Sequence, residues 1–138
     1  MMERRIYYED TDAAGVVYYG KYLGFLEQGR TEYLRERGVS IGKLHEQGHL
    51  FAVMRVEIDY LKPAVLDDLI RVDTNVLETS NATFTMGQKV VRISDERLLA
   101  EGRVTMACIG PGGRAKRMPA ELLKVLETET TLVKSDQP

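Results

Sequence analysis

The spacing of apolar residues along this chain changes from a helical period to a strand period. Apolar and aromatic side chains recur at steps of three and four over residues 18–37, which predicts one long helix. Gly38 is placed to end that helix. Apolar and polar side chains alternate over residues 4–10, which predicts a strand. The small side chains of residues 11–17 predict a loop between this strand and the helix.

Three glycines, Gly20, Gly24 and Gly29, fall within the helical stretch. Each costs about 1 kcal/mol in a helix interior relative to alanine. We therefore expect another part of the chain to pack closer to this helix than a side chain would allow.

The second half of the chain alternates with a period of two and is interrupted by short turns, which indicates antiparallel strands. The pattern predicts an α+β fold, in which a curved antiparallel sheet of about five strands wraps around one long central helix. A single domain over residues 1–127 and a frayed tail over 128–138 complete the prediction. The further predicted elements are a short helix over 41–47, strands over 52–60, 70–76, 83–93 and 98–109, and a C-terminal helix over 119–126.

Composition narrows the function classes. The 138 residues are 43% hydrophobic and 29% charged with a net charge of −2, so no overall field attracts nucleic acid or an anionic membrane. The single cysteine excludes an intrachain disulfide and suits a reducing compartment. No stretch reaches the roughly 20 apolar residues of a membrane span, and the N-terminus lacks the apolar run of a signal peptide. A cytoplasmic protein without a membrane span is the expectation.

The segment DTDAAG, residues 10–15, fits three kinds of site. A calcium loop is satisfied by Asp10, Asp12 and Gly15 but not by Ala14 or Lys21, which stand where ligands are needed. A phosphatase with a nucleophilic aspartate requires a parallel sheet with alternating helices, and this chain runs strand after strand. Neither interpretation is favoured.

The third interpretation of this segment uses the start of the long helix. Unpaired N–H groups at a helix N-terminus can hold an oxyanion, and a neighbouring aspartate can act as nucleophile or general base. This pairing suits acyl transfer from an activated ester. The structural alternative, that Asp10 or Asp12 only caps the loop or helix, stays open.

Two further clusters carry candidate chemistry. HEQGH, residues 45–49, matches a zinc-protease signature, but Gly48 interrupts the helix turn that both histidines must share. The segment GGRAKRMP contributes Arg114, Lys116 and Arg117, which could bind a phosphate-bearing ligand or form a solvated cluster.

Two stretches together resemble a known family: YYEDTDAAGVVYYGKYLGFLEQGRTEYLRERG, from Tyr7, and VEIDYLKPAVLDD, over residues 56–68. They are similar to the hot-dog-fold thioesterases of the 4-hydroxybenzoyl-CoA thioesterase type, most closely the YbgC-like, Tol-Pal-associated branch. The resemblance implies a hot-dog fold and hydrolysis of acyl-CoA thioesters without a metal or other cofactor. It also implies a homodimer with a continuous sheet and shared active sites, often paired into a homotetramer, with acyl-carrier protein as a further candidate partner.

The same resemblance assigns the site residues. Asp12 is the catalytic carboxylate, the backbone N–H of Tyr19 at the helix start is the oxyanion donor, and Gly15 fills a small-residue position in the loop. The segment 114–117 is the candidate for the CoA phosphates. Glu27 and Arg30 are expected to pair with each other on the helix or across to a partner subunit.

One position departs from the branch, because many YbgC-like proteins have histidine where this chain has Tyr19. The backbone donor is unaffected, since every residue except proline has an N–H. Related dihydroxynaphthoyl-CoA thioesterases carry an aromatic residue there, so an aromatic acyl group stays open. The alternative function is a hot-dog module that binds acyl-CoA or acyl-carrier protein without hydrolysis.

Overall fold

In the computed structural model, which describes residues 1–135, the strands are β1 (Met2–Arg5), β2 (Leu50–Tyr60), β3 (Leu69–Thr79), β4 (Thr83–Arg92) and β5 (Arg97–Ile109), and the helices are α1 (Lys21–Glu36), α2 (Ile41–Glu46) and α3 (Ala120–Ser135). The strands form one antiparallel sheet in the order β1-β3-β4-β5-β2. A register shift interrupts the pairing of β2 with β5, of β3 with β4 and of β4 with β5, and such bulges bend a sheet. The predicted α+β architecture is confirmed.

Helix α1 packs on the sheet with one continuous buried stripe, which ranges from Tyr22 to Leu34 at steps of three and four. The closest approach is at Gly29, where an added Cβ would stand 2.5 Å from Cγ1 of Val72 on β3. The last helical residue is Glu36, and Gly38 terminates the helix as predicted, because its φ of +82° lets the Val39 N–H donate to the Leu34 carbonyl at 2.9 Å.

Close packing explains only one of the three glycines that the helical pattern contains. Apart from its own helix backbone, no described atom lies within 4 Å of the position that a Cβ would occupy at Gly24. Gly20 precedes the first helical residue, and an added Cβ there would stand 2.7 Å from the ring of Tyr18 rather than close to the sheet. The predicted close approach of another part of the chain to the helix is therefore correct for Gly29 alone among the three.

Helix α3 is longer than predicted, because residues 127–135 continue it, so the predicted helix end at residue 126 is wrong. The predicted fraying of residues 128–138 stays a prediction. The threonines of this segment interrupt the apolar pattern, so the sequence did not indicate that the helix continues. The Thr128 and Thr130 hydroxyls donate to the carbonyls four residues earlier, and Thr130 also contacts the Thr79 hydroxyl on β3 at 2.9 Å. The rest of the predicted tail, residues 136–138, lies outside the described residues.

Candidate active site

Residues 10–18 fold as a small hairpin that leads from the first strand into α1. Thr11 and Val17 form an antiparallel bridge, and the Val17 N–H donates to the Ala64 carbonyl at 2.9 Å. The predicted strand over residues 4–10 ends early, at Arg5, because the Tyr7 N–H turns back to a side-chain oxygen of Asp10 at 2.9 Å. Residues 8–10 form a 3-10 turn instead.

Asp10 is the anchor of this hairpin and is only 2% exposed. Its carboxylate pairs with Arg4 of β1 at 3.3 Å and with Lys21 of α1 at 3.6 Å. Its carbonyl accepts the Tyr18 N–H at 3.1 Å. A buried charge needs such compensation, so Asp10 joins strand, hairpin and helix and is not available as a calcium ligand. The sequence pattern did not indicate this anchoring role, because the cations come from positions six residues before and eleven after Asp10.

Asp12 lies exposed on the same hairpin. Its Oδ1 accepts the Ala14 N–H at 2.9 Å, and its carbonyl accepts the Gly15 N–H at 3.0 Å. No described residue donates to its second oxygen. Gly15 has a φ of +80° and open space around it, so the loop requires glycine there for its backbone conformation rather than for its size. The carboxylate is thus oriented through one oxygen and free to react through the other.

Helix α1 begins at Lys21, three residues later than predicted, and no side chain of the described residues caps its N-terminus. Tyr19 consequently lies in the turn before the helix, where its carbonyl accepts the Tyr22 N–H at 3.3 Å. No described residue accepts a hydrogen bond from the Tyr19 backbone N–H. An uncapped helix start next to an unpaired N–H is the arrangement that stabilises an oxyanion.

Aromatic residues build a cavity of about 230 Å³ beside this turn, lined among others by Tyr19, Tyr22, Tyr60 and Lys62. The Tyr60 hydroxyl donates to the Tyr19 carbonyl at 3.2 Å, and the Tyr22 hydroxyl accepts the buried Ala64 N–H at 3.1 Å. Burial raises the pKa of both Tyr22 and Tyr60, so both phenols stay protonated at neutral pH. They orient the backbone and are not bases. Helical periodicity marked Tyr22 as a core residue, and nothing local in the sequence indicated its bond to Ala64.

The basic segment 114–117 lies at the other end of the sheet within one protomer. Lys116 donates to the Gly48 carbonyl at 3.2 Å, just before β2 begins, whereas Arg114 and Arg117 are exposed. Tyr60 is the last residue of β2, at the opposite end of the strand from Leu50. The eleven residues of β2 are separated by ten steps of ~3.3 Å, so its two ends lie about 33 Å apart. A single protomer therefore does not bring this segment to Asp12.

The HEQGH motif, residues 45–49, does not form a metal site. Helix α2 ends at Glu46, and Gly48 has a φ of +87°, so His45 and His49 do not lie on one helix face. Among residues 1–135, no cluster of histidine, cysteine, aspartate and glutamate side chains could hold a metal ion. Within the same residues, no helix has the length and apolar character needed to cross a membrane.

Comparison with known proteins agrees with this geometry. The sequence profile of the thioesterase-like superfamily matches residues 7–126. The chain belongs to this superfamily. The acyl-CoA thioesterase YbgC of Haemophilus influenzae is 44% identical over 109 residues, which cover 78% of this chain and 79% of that protein. The acyl-CoA thioester hydrolase YbgC of Escherichia coli is 35% identical over 125 residues, covering 91% of this chain and 90% of that protein.

A solved structure of the same superfamily has the same fold. A probable thioesterase from Bartonella henselae matches with a TM-score of 0.81 at 34% identity, over 86% of this chain and 97% of that one. The predicted hot-dog fold and the resemblance to the YbgC-like branch are therefore both confirmed.

Proposed function

We propose that this protein hydrolyses acyl-CoA thioesters with the Asp12 carboxylate and the Tyr19 backbone N–H. The observation that carries the proposal is that a carboxylate with one unbound oxygen and an unpaired N–H lie seven residues apart on the short segment that leads into the uncapped start of α1. The YbgC relatives, which are named as acyl-CoA thioesterases, support the same substrate class.

In this mechanism the thioester carbonyl oxygen accepts the Tyr19 N–H, and the positive end of α1 stabilises the charge that develops there. The free oxygen of Asp12 either attacks the carbonyl carbon or takes a proton from the attacking water. If Asp12 attacks, coenzyme A leaves as a thiolate that takes a proton from solvent, and water then hydrolyses the acyl anhydride formed on Asp12. If Asp12 activates water, the protonated carboxyl group returns its proton to the departing thiolate. Every group that the reaction requires belongs to the chain, the substrate or water, so the proposal includes no metal or cofactor. A cytoplasmic location belongs to the same proposal, and the unpaired Cys108 is compatible with it.

The exposed edge of β2 supports a dimer. Within residues 1–135 this strand pairs only with β5, and its exposed apolar side chains include Val53, Met54 and Val56. An apolar, unpaired edge is a pairing site for a second chain. We infer that two copies pair β2 with β2 antiparallel about a two-fold axis near Arg55, which is the middle of the strand.

That dimer would complete the active site. Pairing about Arg55 brings Tyr60 of one protomer opposite Leu50 of the other, so each Asp12–Tyr19 site lies beside the other protomer's segment 114–117. The exposed Arg114 and Arg117 then face the position of the CoA phosphates, which arginine binds in forked geometry. A homotetramer would arise from two such dimers, and the same basic surface would suit an acidic acyl-carrier protein.

Incubation with a panel of acyl-CoA thioesters, with detection of released thiol, tests the reaction. We expect turnover of at least one class of acyl group. If calorimetry shows that acyl-CoA binds but no thiol is released, the result would instead support the non-hydrolytic module. If only thioesters of acyl-carrier protein are hydrolysed, the substrate would be the acylated carrier protein rather than acyl-CoA.

Sedimentation analysis tests the assembly independently. We expect a dimer or tetramer for the wild type and a monomer with lower activity for Met54→Glu, which places a charge on the apolar edge. A wild-type monomer that hydrolyses its substrate fully would contradict the shared site.

A further inference from the structure

A second feature of α1 lies outside the catalytic turn. Arg30 is half-buried on the wall of a groove of about 220 Å³, which is lined by residues of α1 and of strands β2, β4 and β5. The groove is smaller than the ~300–1,000 Å³ of typical ligand clefts, so it suits one moiety of a substrate rather than the whole. Its other walls are mainly apolar and comprise Leu34, Ile41, Phe51, Val53, Phe84 and Met106, with Glu27 and Thr31 on the helix side.

The position of Arg30 is fixed by a buried amide. Gln88 on β4 is 1% exposed, and its Nε2 donates to the Leu26 carbonyl at 2.9 Å and to the Thr74 hydroxyl at 3.0 Å. Because the Leu26 carbonyl can only accept, the Gln88 oxygen must face the other way, where it accepts an Arg30 N–H at 3.1 Å. The sheet therefore holds the guanidinium through a neutral partner.

No carboxylate of the described residues neutralises Arg30. The expected pair with Glu27 on the helix is not formed, because the Glu27 carboxylate accepts the Thr31 hydroxyl at 2.8 Å. Burial lowers the pKa of Arg30, which the charge of Glu27 partly opposes. Glu27 is exposed and its charge is the better screened of the two. A largely desolvated guanidinium with unused donors in an apolar groove favours an anionic oxygen, above all a carboxylate.

We propose that Arg30 is a specificity-determining residue, and that its groove binds the far end of an acyl group that terminates in a carboxylate. The substrates would be CoA monothioesters of dicarboxylic acids. The proposal rests on the thioesterase function proposed above. The apolar walls take the methylene chain, and two parallel N–H groups of Arg30 remain to bind the terminal carboxylate.

The proposed dimer places this groove within reach of the reaction. Within one protomer Arg30 lies nine residues along α1 from Lys21, or about 14 Å at 1.5 Å per residue. Phe51 and Val53 form the groove wall at the start of β2, and β2 pairing brings that end opposite Tyr60 of the other copy. The acyl group held at one protomer's Asp12 can therefore enter the groove of the other.

Matched pairs of substrates test the proposal, for example suberyl-CoA with octanoyl-CoA and adipyl-CoA with hexanoyl-CoA. We expect the wild type to show a higher kcat/KM for the diacid member at the best chain length. Arg30→Met should reduce the diacid-to-monoacid ratio roughly ten- to hundredfold, the range for a lost hydrogen bond to a charged group. Arg30→Lys should restore part of the ratio, and Glu27→Gln should raise it by removing a repelling charge.

Arg35→Met is the matched control, because Arg35 is an exposed arginine on the same helix and pairs with Glu32. It should leave the ratio unchanged. An equal loss for both members of each pair in Arg30→Met would show a structural role or binding of the CoA phosphates and would overturn the proposal. Wild-type hydrolysis with no diacid preference at any length would also overturn it, whereas hydrolysis of no thioester at all would overturn the proposed function itself.

Discussion

Replacing Gly29 by alanine tests the closest approach between α1 and the sheet. The new Cβ would lie 2.5 Å from Val72 Cγ1 and 3.1 Å from Gln88 Nε2. Neither neighbour can yield easily, because Val72 is β-branched and stiff and the Gln88 amide is held by three hydrogen bonds. Overpacking costs about 1–3 kcal/mol, and the gain in helix propensity offsets about 1 kcal/mol of it. Given this rigidity, we expect a net loss of roughly 1–2 kcal/mol in the free energy of unfolding.

Gly24→Ala is the matched control, since Gly24 belongs to the same helix and, apart from that helix's own backbone, no described atom lies within 4 Å of the added carbon. It should gain about 1 kcal/mol from propensity alone. Thermal unfolding measures the stability of both variants. A change of 1 kcal/mol shifts the midpoint by about 3–5 °C in a domain of this length, and the midpoints of the two variants should move in opposite directions. Stabilisation by Gly29→Ala would refute the close packing of helix and sheet, and destabilisation by Gly24→Ala would show that another surface packs there.

Three other predictions concern the surroundings of the site. Asp10→Asn should lower the free energy of unfolding, measured in urea, by roughly 1–3 kcal/mol. This loss is smaller than for a fully buried ion pair, because Arg4 and Lys21 are partly exposed. An unchanged urea midpoint would contradict the role of Asp10 as anchor. Tyr22→Phe leaves the buried Ala64 N–H without an acceptor and should lower the free energy of unfolding by about 1–3 kcal/mol in the same assay. Unchanged stability would show that this hydrogen bond does not stabilise the fold. Burial raises the pKa of the Cys108 thiol, so thiol reagents should modify it only after unfolding, and rapid modification of the native protein would show that this strand opens.

The elements that repeat a local pattern could be predicted from the sequence. The apolar steps of α1, the alternation of β3 to β5 and the turns between them follow from contacts within a few residues. Gly38 ended α1 as expected, because only its positive φ closes the final turn. The order of a strand, a long helix and antiparallel strands was enough to indicate the fold class.

The features that depend on distant residues could not be predicted. The first strand is short because the Asp10 carboxylate turns the chain, and its partners lie on β1 and α1. Arg30 pairs with Gln88, 58 residues away, rather than with the nearby Glu27. The hairpin that carries Asp12 is held in place by the bond from the Val17 N–H to the distant Ala64 carbonyl, and Asp12 itself binds one N–H and leaves its second oxygen unbound. Spacing alone therefore did not decide between a catalytic carboxylate and a cap.

Turnover by Asp12→Asn tests the central claim most directly. The asparagine can keep the side-chain oxygen that accepts the Ala14 N–H, so the hairpin should persist while the negative charge is lost. On the best acyl-CoA of the panel, we expect kcat to fall by about 10²- to 10⁴-fold, the usual contribution of a general base, at an unchanged melting temperature. Glu9→Gln removes a neighbouring exposed carboxylate of the same segment and should retain kcat within a few-fold. A wild-type rate in Asp12→Asn would contradict the account.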